Sequence, residues 1–133
     1  MSDIMGGIEK LIGADINDPA ALKKEAKERI KEYFKTSAKK RWALLTPTYQ
    51  SKVTEAEYIE DSGPWWEAID HIKVRKIKLR SGVLCTVTLS LFFKSGRESI
   101  IKASLLKEAG IRQPDPAYPF LINGTTVPPY LMR

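Results

Sequence analysis

The run from Val83 to Phe93 limits the possible folds more than any other stretch. Val83, Cys85, Val87, Leu89, Leu91 and Phe93 fall on one face, and Thr86, Thr88 and Ser90 on the other, with Leu84 and Phe92 at its ends. Period-two alternation is the signature of a strand buried on one side, and a helical period would scatter the same apolar positions around an axis. Upstream, Ile72 and Val74 alternate with Lys73 and Arg75. The phase slips at Lys76 and resumes at Ile77 and Leu79, which predicts a β-bulge. Ser81-Gly82 and Ser95-Gly96 are turn signals. The second leads into Glu98–Glu108, where Ile101, Ala103 and Leu105 oppose Ile100, Lys102, Ser104 and Leu106. The stretch from Trp65 to Glu108 therefore reads as three antiparallel strands, longer than the usual roughly 5–6 residues. Long, bulged strands make a curved sheet, and a helix must fill its concave side.

The helical layer precedes it. Asn17-Asp18-Pro19 starts a helix, with Asp18 as N-cap and Pro19 at the first position. Leu22, Ala26, Ile30, Tyr33 and Phe34 form its apolar stripe, and it is expected to run to about Thr36. A second short helix from near Ser37 carries Trp42, Ala43, Leu44 and Leu45, and Pro47 opens another turn through Tyr49. Thr54-Glu55-Ala56-Glu57 is a capping box for a helix carrying Tyr58 and Ile59, expected to stop near Ser62-Gly63-Pro64. Residues 1–17 place Ile4, Ile8, Leu11 and Ile12 roughly on one helical face that Gly6, Gly7 and Gly13 weaken. They read as an extension to a single domain spanning 18–133.

The length of 133 residues suits one core. Much of the net charge of +6 lies between Lys23 and Arg41, where nine cationic residues face three acidic ones. This reads as a solvated helix face, and without a recognised nucleic-acid motif it disfavours nucleic acid. A basic docking face for an acidic protein or a membrane surface is the other reading. Cys85, the sole cysteine, sits among apolar strand residues and is expected in the core rather than as a nucleophile. One histidine and one cysteine supply no metal cluster, and there is no Gly-rich phosphate loop, so no metal or cofactor is expected. No segment is apolar enough to span a bilayer, and the N-terminus does not read as a secretory signal. The cytoplasm is the default compartment, and a mature exported domain without its leader is the alternative.

The order of elements then carries a resemblance. A long helix ending in Tyr33-Phe34 is followed by Trp42-Ala43-Leu44-Leu45-Thr46-Pro47, Tyr49, a capped helix at Thr54–Asp61 and long antiparallel strands. Over about Pro19 to Glu108 this resembles the nuclear transport factor 2-like superfamily, in particular a pattern common among its bacterial members. The resemblance implies an α+β cone, a curved antiparallel sheet wrapped around a long N-terminal helix with short accessory helices. It also implies a homodimer through the sheet, on whose outer face Thr86, Thr88 and Ser90 lie. The superfamily hosts enzymes, ligand binders and docking modules, so the resemblance leaves function open. The C-terminal part departs from the pattern: Asn123-Gly124 reads as a tight turn between Phe120–Ile122 and Thr125–Val127, followed by Pro128-Pro129.

Two sets of residues are candidates for function. Asp70 and His71 open the first strand, where enzymes of the resembling superfamily often place a general acid or base. Neighbours on a strand face opposite ways, however, unless a bulge intervenes. Tyr33, Trp42, Tyr58, Trp65 and Trp66 form an aromatic set that reads either as core or as a ligand pocket. The expected function is non-enzymatic binding of a small apolar ligand in the cone or of a protein partner. A hydro-lyase or isomerase of the ketosteroid isomerase and scytalone dehydratase kind, with Asp70 or His71 as base, is the alternative.

Overall fold

A computed structural model of the chain describes residues 18–126, with the side chain of Trp65 outside that description. The expected features of residues 1–17 and of Pro128-Pro129 lie outside it too. The fold is α+β: helices α1 (Pro19–Tyr33), α2 (Ala38–Ala43), α3 (Pro47–Gln50) and α4 (Glu55–Glu67) precede strands β1 (Ile69–Leu79), β2 (Leu84–Phe93), β3 (Glu98–Gly110), β4 (Gln113–Pro114) and β5 (Phe120–Thr125). The strands form one curved antiparallel sheet in which β1 pairs with β2, β2 with β3, and β3 with both β4 and β5.

The alternation in β2 sorts side chains as expected. Cys85, Val87, Leu89 and Leu91 are wholly buried on the inner face, against Ile101, Ala103 and Leu105 of β3 and Leu22, Ala26, Ile30 and Tyr33 of α1. Burial pushes the Cys85 thiol up to about 12, as suits a core residue. The bulge read at Lys76 is present as a register shift between Val74 and Lys76. At the start of α1, the Asp18 side chain accepts from the Ala20 amide at 3.0 Å. The capping box of α4 closes, with the Glu57 amide donating to Thr54 Oγ1 at 3.2 Å. Helix α1 ends at Tyr33, three residues before the expected Thr36, with Phe34 as its C-cap.

Two expectations need correction. First, α4 does not stop at Ser62-Gly63-Pro64 but runs through them to Glu67, so Trp65 and Trp66 are helical rather than the beginning of the sheet. An interior proline costs a helix about 3 kcal/mol. Two residues on, Trp66 is buried against Tyr33 and Phe34, with ring centroids 5.0 and 4.5 Å away. A tryptophan buries about 150–250 Å², which at roughly 25 cal/mol per Å² is worth about 4–6 kcal/mol, so burial outweighs the break.

Second, Asn123-Gly124 is not a hairpin turn, because Phe120–Thr125 is one continuous strand beside β3. Pairing steps from Ser104↔Gly124 to Leu105↔Ile122, which leaves Asn123 as the extra residue of a bulge. Asn123 Oδ1 accepts from Thr46 Oγ1 at 2.8 Å, and Thr126 continues the ladder by donating its amide to the Lys102 carbonyl at 2.8 Å. On its other edge β5 meets Leu45 in a parallel bridge, which ties the helical layer to the sheet.

Candidate functional site

Two polar constellations lie where α1, α4 and the sheet converge, and the Trp66 ring connects them. The first is interior. The Tyr33 and Tyr58 hydroxyls share a hydrogen bond of 2.5 Å, and both residues are buried. Burial, reinforced by Tyr58, raises the Tyr33 phenol well above its ordinary range, so both hydroxyls stay protonated at neutral pH. Beside them Arg41 is only 6% exposed. Its Nη1 donates to the Thr36 carbonyl at 2.6 Å, and its guanidinium lies 4.3 Å from the centroid of the Trp66 ring. Its Nε is buried without a hydrogen-bond partner among the described residues. Burial lowers the Arg41 pKa, and the two tyrosines oppose that shift.

The second constellation is a surface recess of about 250 Å³ between the end of α1 and the start of β1. Phe34 and Trp66, tilted at 55°, line it with Ile69 and Ile72. Lys31, Lys35, Asp70 and His71 also line it, and all four are exposed. A second register shift, between Ile69 and His71, lets the neighbouring Asp70 and His71 lie on one recess. Asp70 Oδ2 lies 2.7 Å from His71 Nδ1, a pair that leaves the far ring nitrogen unengaged by Asp70. The imidazole stacks on Phe92 at 4.5 Å and 6°.

The sequence candidates thus divide. Trp66, Asp70 and His71 come together at the recess. Tyr33 and Tyr58 lie inside and bond to each other, and half-buried Trp42 packs on Tyr58 at 5.8 Å. Sequence reasoning did not single out Phe34, Lys31 and Lys35 as a site. Phe34 ends the apolar stripe of the sequence, yet it caps a helix that ends one residue earlier and so reaches the recess. The available signal was the placing of Lys31 and Lys35 on either side of the Tyr33-Phe34 pair.

Chemically, the recess offers an apolar floor with cations at its rim and one acid–base pair. Among the described residues no group of three or more His, Cys, Asp or Glu is placed to hold a metal, and no helix is long and apolar enough to cross a membrane. No protein-family model, curated protein or solved structure matches this chain.

Proposed function

We propose that this is a non-enzymatic docking domain of the nuclear transport factor 2-like kind, whose recess receives an apolar side chain from a protein partner. The order of the helices and the curved sheet supports the fold reading. The recess volume carries the functional one. At about 250 Å³ it falls below the roughly 300–1,000 Å³ of small-molecule sites and suits one projecting ring. The interior supports the same reading: Tyr33, Tyr58 and Trp66 occupy the space between α1, α4 and the sheet, and the tyrosine hydroxyls bond to each other. Lys31 and Lys35 favour a partner ring with a carboxylate beside it.

N-acetyl-tryptophan, an indole bearing one carboxylate, mimics such a ring and is the probe. In a titration followed by amide NMR, saturable shifts should cluster at Phe34, Lys35, Trp66 and Ile69–Ile72. A Lys31→Glu/Lys35→Glu variant should bind at least about fivefold more weakly, the loss of two interactions of about 0.5–1 kcal/mol each. Unsaturable shifts, or shifts centred on Tyr33 and Tyr58, would contradict the proposal.

The Asp70–His71 pair favours a second reading, acid–base catalysis of the hydro-lyase or isomerase kind. Both side chains are about 60% exposed, at 59% and 61%, and water there screens the charges a transition state develops. The docking reading is therefore preferred. A dehydratase or isomerase activity abolished by His71→Gln would reverse that preference.

A further inference from the structure

The outer face of the sheet carries a second cationic surface, separate from α1. Across β1, β2 and β3 the register lines up His71–Phe92–Glu98, Lys73–Ser90–Ile100, Lys76–Thr88–Lys102 and Lys78–Thr86–Ser104. Arg75, displaced by the bulge, joins this face by donating to Ser90 Oγ at 2.8 Å and to Glu98 Oε2 at 3.0 Å. Arg80 extends it toward Thr86. Lys73, Arg75, Lys76, Lys78, Arg80 and Lys102 are all exposed, and in these rows only Glu98 opposes them.

Cations on an edge strand also guard against edge-to-edge pairing. Guarding, however, works with charge of either sign, whereas this face is of nearly one sign. Like charges two residues apart on a strand stand roughly 7 Å from each other and repel. A second copy of the chain fits badly here, because a two-fold contact would set these cations against themselves. A bilayer surface would want several insertable apolar side chains, and among the described residues of this face only Ile100, at 63%, is a strongly exposed large one.

We propose that this face binds single-stranded nucleic acid, the phosphates tracking the lysines of β1 and a base stacking on the exposed His71 ring, which half-buried Phe92 backs. A cationic track with an aromatic platform at one end is the recurring arrangement for such strands. Lys73, Lys76 and Lys78 stand opposite alternate residues of β2, Ser90, Thr88 and Thr86, a step of roughly 7 Å that suits an extended phosphate backbone. This surface is distinct from the docking recess, and His71 borders both.

The test is fluorescence anisotropy with a labelled oligothymidylate of about twelve nucleotides, within the usual ~4–16-nucleotide footprint of one small fold. Engagement of four to six phosphates predicts a slope of log affinity against log salt between roughly −3 and −4. Lys73→Glu/Lys76→Glu/Lys78→Glu should weaken binding by more than about tenfold. Lys23→Glu/Lys24→Glu/Lys27→Glu on α1 removes the same charge and should stay within about threefold. If charge reversal unfolds the sheet, the milder Lys76→Gln/Lys102→Gln should flatten the slope by about 1.4, near 0.7 per lost contact. Equal losses in the two triple variants would reduce the effect to net charge and overturn the proposal. So would absence of binding at low salt, or capture by phosphatidylserine vesicles in preference to the oligonucleotide. A dimer in sedimentation equilibrium that Ile100→Glu dissociates would overturn it as well, because the face would then be covered.

Discussion

At the scale of single residues, two buried phenols satisfy each other. Tyr33 and Tyr58 come from helices separated by two others in the chain, and their hydroxyls meet at 2.5 Å inside the aromatic cluster. Truncating one partner strands the other hydroxyl, which costs about 1–3 kcal/mol, whereas removing both leaves no stranded phenol. Tyr58→Phe should therefore destabilise the chain in urea titration by about 1–2 kcal/mol. Tyr33→Phe/Tyr58→Phe should cost less than the two single changes added together. Strict additivity would mean that the hydroxyls act independently. Lys107 follows the same logic: 5% exposed on the inner side of β3, it reaches Glu25 of α1 at 2.9 Å, and the other Glu25 oxygen accepts the Phe120 amide.

At the scale of elements, two local features allow quantitative tests. Gly63 lies within α4 directly before Pro64, and apart from its chain neighbours nothing stands within 4 Å of where a Cβ would be. A Cβ there would crowd the proline ring in the helical conformation, so Gly63→Ala should lower the thermal midpoint despite about 0.5–1 kcal/mol of helix propensity gained. A raised midpoint would show that propensity outweighs that contact. Across the three long strands, Ser90 and Arg75 bond to Glu98 and hold its carboxyl below the usual carboxylate range. A depressed folded pKa means stability that is present at neutral pH and lost as pH falls through that value. On acidification below about pH 4.3, the ordinary glutamate value, the urea midpoint of the native chain should drop more than that of Glu98→Gln. Parallel acid limbs would contradict the clasp.

Elements with strong periodicity were legible from sequence. The alternation of Cys85–Leu91, the slip at Lys76, the Asp18 cap and the Thr54–Glu57 box each have one local physical reading, and each is found. What was not legible depended on distant partners. Pro64 ends a helix unless a tryptophan two residues on has an aromatic wall to bury against, and that wall comes from α1. Asn123-Gly124 makes a turn unless β3 and Thr46 hold it as a bulge. The recess was half legible: Asp70, His71 and Trp66 stood out by type, while Phe34 and the two lysines needed the end of α1 to be placed. The cationic sheet face is legible in the complementary phase of the His71–Arg80 run, which is almost wholly Lys and Arg.

At the scale of the whole molecule, both proposed functions lie on the surface. Aromatic side chains occupy the space under the sheet. The recess at the end of α1 and the outer sheet face present chemistry outward, and both are bordered by His71. The most direct test of that claim is native mass spectrometry of the protein purified from its own source, comparing gentle with denaturing conditions. The account predicts that no small molecule is carried, so that the protein mass is the same in both. A small-molecule adduct held under gentle conditions and lost on denaturation would place a ligand inside the fold and contradict it.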